Sequence, residues 1–158
     1  NSLAEARLVI EPGIAALAAQ HGSDDDIAAL QALVAEGREL GPDDMDRLLE
    51  IDVEIHNRMV RMADNPFLIR IMESIGKLAR SSREFTNTVP HMREEAQADH
   101  ELIAEALVAR DPNAARAAMT QHLTHVAMTL AESYALGDDY QYGAAFERAP
   151  SATHLAAT

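Results

Sequence analysis

Cysteine is missing from this 158-residue chain, which excludes disulfides, thiolate metal ligands and a cysteine nucleophile. Tryptophan is missing too, and aromatic residues make up only 4%. With alanine and leucine abundant, that balance favours helices that pack closely. No apolar run approaches the roughly 18–20 residues of a membrane span, and no signal-peptide pattern opens the chain. These absences fit a cytoplasmic protein. Positive charge is scarce, and the formal net charge is −13. A chain this acidic is repelled by nucleic acid and has no clustered basic face, so direct DNA binding by these residues is not expected. Also absent are a His-Glu-x-x-His motif, a Gly-x-Ser-x-Gly elbow, a Walker loop and a Gly-x-Gly-x-x-Gly fingerprint.

What is present is helical periodicity in a chain of single-domain length with 47% hydrophobic residues. Six segments are expected. Leu3 to about Gln20 comes first, and Pro12 inside it should kink it or split it in two, which would make seven. Ser23-Asp24-Asp25-Asp26 supplies an N-cap and an acidic first turn for the second, which carries Ile27, Leu30, Leu33 and Val34. Gly41-Pro42-Asp43-Asp44 signals the third and Asn65-Pro66 the fourth. A break near residues 86–90 precedes the fifth, from about His91 to Val108, and Asp111-Pro112 opens the sixth, to about Leu136. Residues 138–158 show no sustained period and read as a flexible C-terminal tail. There is no credible strand. Short connections between long amphipathic segments imply an all-α antiparallel bundle of six to seven helices.

Four polar residues interrupt the apolar faces. Asp52 and His56 are four apart and stack on one side of the third helix. His100 leads into Ile103, Ala104 and Leu107, and His122 follows Ala115, Ala118 and Met119, both at core spacing. Polar groups on buried faces are costly unless paired or ligated. Taken singly, each histidine is more simply a hydrogen-bonded core residue. Four residues of ligand type on three inward faces point instead to one internal metal site. Imidazole and carboxylate together suit zinc foremost, with nickel, manganese or iron as alternatives. Positions left open on the ion could take water or a small-molecule carboxylate.

The other histidines discriminate. His91 lies about two and a half turns from His100 and faces the opposite way. His125 is rotated off the stripe, where it could border the cavity or donate a supporting hydrogen bond. His21 sits at a helix end and His154 in the tail, and neither receives a role. A di-iron carboxylate bundle would need Glu-x-x-His motifs, and none occurs. Glu11, four after Arg7, most simply makes an intrahelical ion pair. Were Arg7 to face the cavity, it could clamp a ligand carboxylate in bidentate fashion.

The pattern resembles the FCD domain, the all-helical ligand-binding C-terminal domain of the FadR branch of GntR-type bacterial transcription regulators. The resemblance runs from about Ala4 to Ala135. It is carried by Arg7-Leu8-Val9-Ile10-Glu11, Asp52-Val53-Glu54-Ile55-His56, Asn65-Pro66-Phe67-Leu68, His100-Glu101-Leu102-Ile103 and Ala118-Met119 with His122-Leu123. The Asp-x3-His element with two later histidines is its specific part. The resemblance implies one divalent metal held by Asp52, His56, His100 and His122, a small organic acid or sugar acid as effector, and a homodimer whose geometry responds to it. It places Arg7 near the pocket. Arg80 or Arg83 on the fourth helix could serve similarly, and phasing does not choose between them.

Such domains usually follow a winged helix-turn-helix DNA-binding domain, which is absent here. The chain opens at Asn1 without an initiator methionine, so residues 1–137 are expected to be a sensor domain separated from that head. Two other functions compete with sensing. A structural dimerisation module would use the cluster only for stability. A metal-dependent enzyme would need a general base beside the open position, and no further inward-facing Asp or Glu is evident in the pattern. No enzymatic role is expected.

Overall fold

The computed structural model describes residues 2–135, and they form six helices with no strand among them. These are α1 (Ser2–His21), α2 (Asp24–Glu39), α3 (Met45–Met62), α4 (Pro66–Asn87), α5 (Pro90–Val108) and α6 (Pro112–Ala135). The expected tail at 138–158, with His154, lies outside the described residues. No described helix is long and apolar enough to cross a membrane.

The boundaries follow from local chemistry. Ser23 and Asp26 form a reciprocal capping box at the start of α2. Asn65 accepts from the backbone of Phe67 and Leu68, with Pro66 in the first turn where its missing N–H costs nothing. Asp111 likewise accepts from Asn113 and Ala114 ahead of α6. At the end of α5, Arg110 adopts a φ of 54°, and Asp111 N–H reaches back to Ala106 while Arg110 N–H reaches Leu107. That double bond pattern is a Schellman stop, here built on a residue other than glycine. Asp44 stands at the N-cap position of α3. Its carboxylate accepts from Gly41 N–H at 2.9 Å and ties the α2–α3 loop instead of capping α3.

Pro12 does not split α1, which runs unbroken for 20 residues. The chain breaks at Thr88 and Val89 alone, because α4 continues to Asn87 and α5 begins at Pro90. The first helix packs most extensively on the last. Ala15, Ala18 and Ala19 on α1 and Ala115 and Ala118 on α6 are all buried, and side chains this small let helix backbones approach closely. Around this pair, Leu30, Ile51, Ile55, Met59, Ile103, Leu107 and Met119 close one continuous core. The helix α4 carries an exposed apolar face. It leaves Phe67 80% and Ile71 43% exposed, one turn apart on the same face.

Candidate metal centre

Three helices deliver the four residues singled out by periodicity. Asp52 and His56 come from α3, His100 from α5 and His122 from α6. The histidines are buried and Asp52 is nearly so. One ligand-type atom from each falls within 4.8 Å of all the others. Asp52 Oδ1 lies 3.4 Å from His56 Nε2 and 3.6 Å from His100 Nε2. Two ligands bound to one ion at about 2.1 Å stand roughly 3–4 Å apart, so these separations fit a shared cation. Asp52 Oδ1, His56 Nε2 and His100 Nε2 are buried without a hydrogen-bond partner among the described residues. Groups in that condition carry a desolvation cost that a cation would remove.

The protonation states suit the same chemistry. Burial and the adjacent His122 push His100 down to about 3, so it is neutral near pH 7 with a lone pair to offer. Burial also lowers His122. For Asp52 burial acts against the charge, but His56 and Arg83 outweigh it and hold the carboxyl well below its usual range. Three imidazoles and one carboxylate make a set that could hold a divalent ion.

Two buried carboxylates stand behind this set. Glu11 Oε2 accepts from His56 Nδ1 at 2.6 Å. That bond fixes the His56 tautomer and turns Nε2 toward the cluster. Glu11 itself pairs with Arg7 Nε at 2.5 Å and lies 3.6 Å from Arg83. Burial would raise its pKa, yet Arg7, His56 and Arg83 together hold it well below the usual carboxylate range. Asp99, on α5, lies 3.7 Å from His122 Nδ1 and accepts from His125 at 2.8 Å and Gln121 at 2.7 Å. These acids correct the expectation that no further Asp or Glu faces inward. Glu11 is engaged by His56 and two arginines, and Asp99 by His122, His125 and Gln121, which leaves neither placed as a free general base.

The candidate arginines separate clearly. Arg7 is buried beside Glu11, and Arg83 Nε lies 3.4 Å from Asp52 Oδ1. Arg80 is exposed, pairs with Glu84 at 3.2 Å and stands apart from the cluster. One turn of α4 is about 3.6 residues, so two positions three apart need not share a neighbour. His125 takes the supporting role through Asp99. His91 is exposed, and His21 Nδ1 meets the Ala63 carbonyl at 3.1 Å, away from the cluster. Sequence reasoning gave Glu11 only its Arg7 pair and overlooked Asp99. The signal for Asp99 was its place beside His100, which was not weighed.

A cleft of about 440 Å³ reaches the cluster from one side, and Asp52 and His100 form part of its wall. It lies where the end of α2, the start of α3 and the first half of α5 meet. Fold and cluster together define an all-helical domain with a candidate metal centre at its heart and an approach to it through this cleft. The chain belongs to the FCD domain family, whose model matches residues 2–125. It is 29% identical over 154 residues to the Uxu operon transcriptional regulator of Escherichia coli K12, covering 94% of this chain and 60% of that protein. It is 28% identical over 146 residues to the Exu regulon transcriptional regulator of the same organism, covering 90% and 55%. Among solved structures, Streptococcus agalactiae GntR superposes with a TM-score of 0.66 at 25% identity, over 81% of this chain and 57% of that one. The chain thus spans little more than half of these relatives, which are named as regulators and not as enzymes.

Proposed function

We propose that residues 1–137 are the effector-sensing domain of a GntR-type transcriptional regulator, holding one divalent ion through Asp52, His56, His100 and His122. The ion supplies a fixed positive charge and open positions for a small organic acid. In an otherwise acidic chain, such a charge is what would draw an anion inward. The observation that carries this reading is the trio of buried, unpartnered ligand atoms beside a cleft open to solvent.

The chain's own residues divide the work. Glu11 orients His56, and Asp99 supports the His122 edge. Arg83 offsets the charge of Asp52, and Arg7 offsets that of Glu11. An effector seated at the centre touches α3 and α5 together, so it can favour one arrangement of those helices over another. Two chains meeting through the exposed apolar face at Phe67 and Ile71 would pass that preference between protomers. DNA contact is assigned to a region outside these acidic residues.

Metal titration tests the proposal. Chelator-treated protein should take up one equivalent of zinc, and His100→Ala should weaken uptake about 100-fold or more, beyond the loss typical of an outer supporting residue. The zinc-loaded chain should bind a simple 2-hydroxy acid that the metal-free chain does not. Zinc uptake with no acid binding would reduce the centre to a structural one. No uptake of any divalent ion would sink the proposal.

A further inference from the structure

The cleft contains more cationic and donor capacity than the centre alone uses. Arg38 on its wall is already paired with Glu101 at 2.5 Å. Glu101 also accepts from Gln97 at 2.9 Å, so that corner is satisfied. Arg93 differs. Its Nη1 donates to the Asn87 carbonyl at 3.1 Å and meets Met45 Sδ at 3.0 Å. No carboxylate among the described residues lies within 4.0 Å of it. Glu94 shares the lining but is exposed and makes no ion pair with Arg93. Beside it, Asn87 Nδ2 is buried with no hydrogen-bond partner among the described residues. A half-buried guanidinium held by its neighbour's carbonyl therefore lines the cleft whose wall includes Asp52 and His100, and Asn87, a lining residue too, keeps an orphan amide donor buried within that wall.

Both groups only donate at the atoms in question, so what they lack is an acceptor, and a guanidinium is best met by an anionic one. A ligand with a single acidic end, spent on the metal, would leave them unmet. We propose that Arg93 and Asn87 form a second anion-holding pole of the cleft, and that the effector is a diacid. One end, a hydroxy-carboxylate, meets the centre, and a second carboxylate meets Arg93 and the Asn87 amide. This inference rests on the reading of the cluster as a metal centre. It adds residues that lie on neither the Asp-x3-His element nor the arginine positions weighed from the sequence.

Calorimetric titration of the zinc-loaded chain separates the two ideas. The probes are lactate, which has only the chelating end, and 2-hydroxy diacids of increasing length, namely malate, 2-hydroxyglutarate and 2-hydroxyadipate. At least one diacid should bind about tenfold more tightly than lactate, the scale expected of a charge-assisted contact. Arg93→Ala should erase that advantage while zinc stoichiometry and lactate affinity stay unchanged. Arg93→Lys should keep part of it, having the charge without the fork, and Asn87→Ala should lose part. Unchanged melting temperatures and zinc content establish that the variants fold. Lactate binding with no diacid advantage, or an advantage that survives Arg93→Ala, would overturn the second pole alone. Failure of every acid to bind the zinc-loaded wild-type chain would leave the centre a structural one and overturn the effector-sensing reading, and this inference with it.

Discussion

The two sides of the cluster are built in opposite ways. On the α1 side, Glu11 binds His56 and is clasped by Arg7 and Arg83, with all four side chains buried. On the cleft side, Asp52 and His100 stand beside Asn87 and Arg93, whose donors find no anion among the described residues. The first arrangement spends its polar capacity within the protein, while the second keeps capacity for a ligand. A site that must hold an ion and still exchange an effector needs both: a rigid back that fixes ligand geometry and an incomplete front. The contrast also warns against counting every buried arginine as an effector contact. The best buried one, Arg7, has its carboxylate already.

That contrast can be broken at several points. The largest effect is expected from Glu11→Ala, which removes the carboxylate that Arg7 pairs with and that Arg83 faces. Breaking a buried ion pair of this kind costs about 3–5 kcal/mol, to be read from urea unfolding of the metal-free chain. Zinc affinity should fall about 10–100-fold in the same variant as His56 loses its orienting partner. A stability change as small as that of a surface substitution would show that the closed side is not closed.

Acidification tests the same core with no substitution at all. Between about pH 6.5 and 3 the unfolded chain binds a proton at His100 that the folded chain refuses. Stability of the chelator-treated protein should therefore fall as pH drops through that window. Asp52 and Glu11, both held low in the fold, add their loss only below about pH 4. A melting temperature that stays level or rises from pH 7 to 5 would contradict the neutral, buried state of His100.

The smallest effect is a contrast between neighbours on α4. Arg80→Ala removes an exposed pair with Glu84 and should leave melting, zinc affinity and acid affinity unaltered within error. Arg83→Ala should weaken zinc binding, because Asp52 and Glu11 lose a shared cation. Equal behaviour of the two variants would erase the distinction drawn between them.

Sequence periodicity carried the reading a long way. The helices, the caps at Ser23, Asn65 and Asp111, and the inward phasing of Asp52, His56, His100 and His122 all arise within a turn or two of chain. The 3.6-residue repeat makes such relations visible in one dimension. Pro12 shows where a local rule yields. A single missing N–H did not divide a helix whose alanine face is packed along α6. Other relations were never local. Glu11 reaches His56 across 45 positions. Arg83 turns to Asp52 where Arg80 does not, and Arg93, which meets Asn87 and Met45, lines a cleft that no single helix forms. Sequence alone determined that the faces bearing Asp52, His56, His100 and His122 turn inward, though not that Glu11 and Asp99 turn inward behind them. The tertiary structure decided which partner each charge finds, because burial and pairing depend on how helices are set against one another, and that arrangement is fixed only when the core closes.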